Sequence, residues 1–121
     1  MANTLAPRLY LETVGGVTVA TFADADLVSE RDIESIGEQL DAIVDNLGPT
    51  RVVLNFREVR YMSSTMLAIL LKFLRRIQRA EGKLRLCSIA PSIKEVFRIT
   101  RFDRLFEIDD QESTALDALS S

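Results

Sequence analysis

Three hydroxyl side chains stand in a row at Ser63, Ser64 and Thr65, directly ahead of the apolar run Met66 to Leu71. Such a junction reads as a helix start, where free backbone N–H groups and the positive end of the helix dipole favour oxygen acceptors and negative charge. One of the three is expected to cap the helix. No capping box completes it, because Met66 and Leu67 stand where Glu or Gln would have to follow Ser63 or Ser64. One cap does not use three hydroxyls, so the surplus offers a place where a single modification could change a docking surface.

Other reactive groups are few. The chain has no histidine and one cysteine, which removes Ser-His-Asp and Cys-His nucleophiles and any His- or Cys-rich zinc site. Cys87 alternates with leucines in Leu84-Arg85-Leu86-Cys87, as a buried strand residue in a reducing compartment would. Asp24, Asp26 and Asp32 form a carboxylate cluster, but acids ahead of and within the first turn of a helix are ordinary surface residues. The sequence therefore points away from an enzyme, with no catalytic residue, metal or cofactor assigned.

The elements that must position the hydroxyls follow from periodicity. Arg8 to Val14 alternates, Gly15-Gly16 is a two-residue turn signal, and Val17 to Phe22 is rich in β-branched residues, which predicts an N-terminal antiparallel hairpin. A loop at 23–27 leads to Ser29 as cap of an amphipathic helix through Ile33, Ile36, Leu40, Ile43, Val44 and Leu47, stopped at Gly48-Pro49. Arg51 to Phe56 has the continuous apolar core of a strand buried on both faces of a parallel sheet. Residues 57–62 read as a loop, and the Ser63–Thr65 helix runs to about Glu81 with Gly82 as its stop. A strand at Leu84–Ile89, a short helix from Pro91 to Ile99, an edge strand at Leu105–Ile108 and a last helix capped by Asp109-Asp110 complete the order. The expected fold is α/β: a mixed β-sheet, hairpin first and parallel strands after, layered with about four helices. Residues 1–7 read as a tail and 8–121 as one domain.

Length and composition agree. With 121 residues, 47% apolar and 27% charged, the chain can bury roughly two-thirds of its unfolded surface in one core. The longest apolar run, six residues, is far below the ~18 a membrane span needs, which makes the cytoplasm the default location. The formal charge of −3 conceals segregation: residues 1–50 carry two basic and nine acidic side chains, 51–104 thirteen and four, and 105–121 none and five. Lys72, Arg75, Arg76, Arg79, Lys83 and Arg85 lack interleaved aromatics, so they read as a solvated face able to steer an acidic protein partner rather than as a nucleic-acid site.

The helix after Ser63 carries two apolar stripes. Leu67, Leu70, Leu71 and Leu74 form one, and Met66, Ile69, Phe73, Ile77 and Ala80 the other, together wider than the ~100° a surface helix needs. Either the helix is central and buries both, or Met66, Ile69 and Phe73 form a partner-facing patch beside the hydroxyls.

The stretch Val52-Val53-Leu54-Asn55-Phe56 through Tyr61-Met62-Ser63-Ser64-Thr65-Met66-Leu67 resembles the signature of STAS domains, in particular bacterial anti-sigma factor antagonists, and the likeness runs from about Arg8 to Leu119. The family pattern is a V-V-L-D-L strand followed by D-S-(S/T)-G-L at a helix start. Such a protein would bind an anti-sigma factor that is also a serine kinase, lose it on phosphorylation, and regain it through a PP2C-type phosphatase. Carried over by position, Ser64 matches the phosphoacceptor, ahead of Ser63 and Thr65, and Ser63 and Met66 stand where the motif has Asp and Gly. The implied partner surface comprises Asp24, Asp26, Ser63, Ser64, Thr65, Met66, Ile69 and Phe73, with no direct nucleic-acid or membrane contact and homodimerisation left open. The alternative is a STAS scaffold that binds constitutively, with the hydroxyls acting only as caps.

Overall fold

The computed structural model describes residues 8–47 and 50–120. Gly15 and Gly16 take φ of 56° and 82°, the left-handed pair that lets a two-residue turn match strand twist. They join β1 (Leu9–Val14) to β2 (Val17–Phe22) in antiparallel register, Leu9 opposite Phe22. After a two-residue β3 (Asp26–Leu27), α1 (Glu30–Leu47) presents Ile33, Ile36, Leu40, Ile43 and Val44 to the core. Next come β4 (Arg51–Asn55), a two-residue β5 (Tyr61–Met62) and α2 (Ser64–Arg79). The chain ends with β6 (Lys83–Cys87), α3 (Pro91–Ile99), a 3-10 turn at Phe102–Arg104, β7 (Glu107–Asp109) and α4 (Glu112–Ser120).

The main sheet has the order β1-β2-β4-β6-β7, parallel from β2 onward, while β3 and β5 pair in parallel as a separate ribbon. One face carries Leu9, Ala20, Phe22, Val52, Leu54, Leu84 and Leu86 and packs with the apolar sides of α1, α2 and α3. The other carries Val17, Val19, Val53 and Cys87 under Ala115 and Leu119 of α4. The unbroken apolar run of β4 is thereby explained, since its alternate side chains enter different cores.

Several expectations are corrected. The loops at 23–27 and 57–62 contain β3 and β5, which contribute too few residues for any periodicity to show. The strand expected to reach Ile89 stops at Cys87, because Ser88 turns to φ 59°. The edge strand begins at Glu107 rather than Leu105, and Phe106 folds inward against Phe97 and Phe102. Asp109 and Asp110 do not cap α4: their carboxylates bind Arg85 (2.7 Å) and Lys94 (2.9 Å), and the helix begins at Glu112. Gly82 is not the left-handed stop of α2. That conformation falls on Glu81 (φ 61°), while a Cβ at Gly82 would lie 2.4 Å from the carbonyl oxygen of Thr50. The Gly48-Pro49 stop and the 1–7 tail lie outside the described residues.

Candidate functional site

At the end of β4 the buried Asn55 turns the chain. Its Nδ2 donates to Glu112 Oε1 of α4 (2.8 Å), and its Oδ1 accepts from the Arg57 N–H (2.9 Å). Both halves of a buried amide are thus satisfied, which a core position requires. Phe56 and Val59 stay buried, so the loop is anchored from below while Arg57, Glu58 and Arg60 are exposed.

The loop is then tied to the segment after β2. The Ala25 carbonyl accepts from Arg60 (2.7 Å) and Tyr61 (3.1 Å), and the Leu27 carbonyl accepts from Ser63 (3.0 Å). Those bonds set Asp26 opposite Tyr61 and bring the chain at Leu27-Val28 against the start of α2. Here Ser63 is the N-cap, with φ −82° and ψ 166°, and its Oγ accepts from the Met66 N–H (3.3 Å). Ser64 and Thr65 are the first helical residues and are exposed. The division of labour is clear: one hydroxyl caps, two face outward.

The acidic candidates separate. Asp24 and Asp32 are drawn together by Arg8, whose guanidinium reaches them at 3.1 Å and 2.8 Å, so this pair is a salt-bridged brace between the first strand and α1. Asp26 alone of the three is an exposed carboxylate beside the hydroxyl end of the molecule.

The apolar patch is corrected. Met66 is 0% exposed and Phe73 2%, so neither presents itself to a partner, and α2 takes a central position that buries Leu67, Leu70 and Leu74 of one stripe and Met66, Phe73 and Ile77 of the other. Ile69 is partly buried against α1, with its Cδ1 3.5 Å from where a Cβ of Gly37 would stand. Met66 at the motif's Gly position accordingly points into the core and does not obstruct the surface. The apolar groups that are exposed near Ser64 are Tyr61 (65%) and Val28 (53%). Sequence reading missed them, since only the β3–β5 pairing places them there; an aromatic three residues before a serine was the available signal.

Of the basic residues, Arg76 binds Asp41 (2.8 Å) and Asp45, and Arg85 binds Asp109, interactions that raise both guanidinium pKa values above their ordinary range through hydrogen bonding. Cys87 is buried, and desolvation pushes its thiol up to about 11, which leaves it protonated and unreactive at neutral pH.

Four findings now meet: a hairpin-plus-parallel sheet, helices on both faces, a hydroxyl-rich helix start at the carboxyl end of β4, and a short ribbon bracing it. Together they define a small α/β domain. The STAS domain family model matches residues 11–115, and the chain belongs to that family. BtrV of Bordetella bronchiseptica, which bears the name of an anti-sigma factor antagonist, is 28% identical over 94% of this chain and 96% of its own length. A STAS domain protein from Planctomyces limnophilus superposes with TM-score 0.82 at 24% identity, covering 93% of this chain and 98% of that one. The phosphorylated form of the Bacillus cell fate determinant SpoIIAA gives TM-score 0.69 at 19% identity over 91% and 97% of the two chains. The expected mixed sheet with four helices is the fold these structures share. No helix among the described residues is long and apolar enough to cross a membrane.

Proposed function

We propose that this protein is an anti-sigma factor antagonist that binds an anti-sigma factor with serine-kinase activity, frees the sigma factor, and is itself regulated by phosphorylation at Ser64. The observation that carries the reading is that Ser63 performs the capping, leaving Ser64 exposed and without a structural duty. The docking surface is Ser64, Thr65 and Asp26 with Val28 and Tyr61, and Ser63 contributes through its cap. Asp24 sits behind them in the Arg8 brace.

The switch follows from charge. Phosphate on Ser64 adds about −1.5 to −2 charge at a helix N-terminus, which favours it by about 0.3–1 kcal/mol, so the fold persists. The same charge against an apolar or acidic partner surface costs several kcal/mol when no cation meets it, and each 1.4 kcal/mol is about tenfold in affinity. A PP2C-type phosphatase would reset the site. In this reading the chain acts in the cytoplasm and performs no chemistry of its own.

A second reading, a constitutive STAS scaffold, is favoured by one observation: the motif's carboxylate position holds Ser63, a neutral cap with no charge to orient an acceptor or a kinase. The two part company in a site-resolved phosphorylation map from native cells, combined with quantitative pull-downs of wild type, Ser64→Ala and Ser64→Asp. The switch reading expects phosphate on Ser64, a complex retained by the alanine form, and its loss in the aspartate form. Unmodified Ser64 with identical partners for all three forms would establish the scaffold.

A further inference from the structure

Following α2 outward from Ser64, Ala68, Leu71, Arg75 and Arg79 recur at steps of four, three, four and four, one continuous stripe of the helix surface. Lys72 lies beside it. Ala68, Lys72, Arg75 and Arg79 are exposed, and Leu71 is partly so. The stripe borders a shallow groove of about 610 Å³ between α2 and Asp41 of α1. Within it the charges are unequal: Arg76 is neutralised by Asp41 and Asp45, whereas Lys72, Arg75 and Arg79 have no acidic partner among the described residues. Three unopposed cations therefore surround a small apolar floor on a protein whose net charge is −3.

From this arrangement we infer that the outer face of α2 receives an acidic amphipathic helix of the partner protein. Three features favour that occupant. The cations demand carboxylates, the Ala68–Leu71 floor accepts a small apolar ridge, and a groove flanked by two helices suits a third laid alongside. Arg75 lies about 16 Å along the axis from Ser64, so a helix seated there reaches the hydroxyl end without a break. A nucleic acid would need stacking aromatics, and none lines the groove. The inference rests on the reading of the chain as a partner-binding module and adds the partner's chemistry, but it does not require Ser64 to be modified. Its consequence is kinetic as well as energetic, since exposed complementary charge speeds encounter and orients the approach.

The test uses the whole chain, isotopically labelled, titrated with a synthetic helical peptide whose glutamates recur every third or fourth residue beside leucines. Amide shifts are expected at Ala68, Leu71, Lys72, Arg75 and Arg79. Binding should weaken by about tenfold or more as ionic strength rises from about 0.01 M to about 1 M, where the Debye length falls from about 30 Å to about 3 Å. The glutamine counterpart of the peptide should not bind. The triple variant Lys72→Gln, Arg75→Gln, Arg79→Gln should lose about tenfold in affinity, while Arg98→Gln, Arg101→Gln, Arg104→Gln, the same loss of charge elsewhere, should stay within about twofold. Circular dichroism and thermal melting confirm that both variants fold.

Equal losses in the two triple variants, or shifts scattered over 98–104, would overturn the inference. So would stronger binding of an RNA oligonucleotide or of anionic vesicles than of the peptide, or self-association that by itself moves the α2 resonances. The outcomes separate from those for Ser64: a failed titration leaves a phosphorylation map intact, and an unmodified Ser64 leaves the titration intact.

Discussion

At the helix start two neighbouring serines differ in what they do. Ser63 lends its Oγ to the Met66 N–H, whereas Ser64 is exposed and lends nothing to the fold. Ser63→Ala removes a cap and should destabilise the protein by about 1 kcal/mol; Ser64→Ala should change stability by less than about 0.5 kcal/mol, both read from urea midpoints at constant slope. A large effect at Ser64 would mean the hydroxyl has a structural duty, and the case for a free acceptor would collapse. That three hydroxyls exceed one cap was legible in the sequence. Which of them caps was not, because the answer depends on where the helix begins, and Ser63 stands just ahead of it in extended conformation with its N–H donated to Leu27 of a distant loop.

The same boundary between local and non-local information governs the elements. α1 and α2 were legible because each buries a face at a regular period, the hairpin because its diglycine turn and β-branched second strand mark it, and β4 because its unbroken apolar run declared two buried faces. β3 and β5 were not, having two residues each; only their mutual pairing makes them strands, and on that pairing depends the exposure of Tyr61 and Val28. The two stripes of α2 left its burial undecided, since a half-apolar circumference serves a central helix and a docking helix alike. The end of α2 shows the limit most directly. Glu81 N–H donates to Gln78 (3.0 Å) and Gly82 N–H to Ile77 (2.8 Å), a Schellman pair whose left-handed position is Glu81. Gly82→Ala drives a Cβ into the Thr50 carbonyl that also accepts from Lys83, and should cost about 1–3 kcal/mol. Glu81→Gly relieves the left-handed strain of a side-chain-bearing residue and should leave stability equal or raise it by up to about 1 kcal/mol. Thermal melts of the pair check this, and a Gly82→Ala variant as stable as the parent would show that the Thr50 carbonyl can give way to a Cβ.

Across the whole molecule, one helix joins the second core to the candidate site. α4 is short, and its anchors on the sheet are Ala115 and Leu119, with the Leu119 carbonyl accepting from Arg51 Nη1 (2.8 Å). Its first turn supplies Glu112, the partner of Asn55, and Asn55 in turn holds the Arg57 N–H at the head of the loop that leads to Ser63. A small unit with few anchors opens below the free energy of global unfolding. Its opening would uncover Cys87, which lies beneath it with a thiol pushed up to about 11 by burial. Cys87 is therefore a built-in reporter. Below about pH 9 the thiol is neutral in both states; between there and about 11 the unfolded thiol ionises while the buried one holds its proton, so this group's contribution to stability falls as pH rises through that window. Labelling by a thiol reagent at pH 8 should be slow in the native protein. Leu119→Ala, which removes one anchor at about 2–5 kcal/mol, should accelerate it by tenfold or more, and Asn55→Ala, which cuts the link to Glu112, by less. Amide exchange at Arg57 provides the control: Asn55→Ala removes its acceptor and quickens it directly, whereas in Leu119→Ala it should quicken only if α4 steadies the site loop, and labelling that tracks only the global unfolding rate would show that α4 does not open as a separate unit.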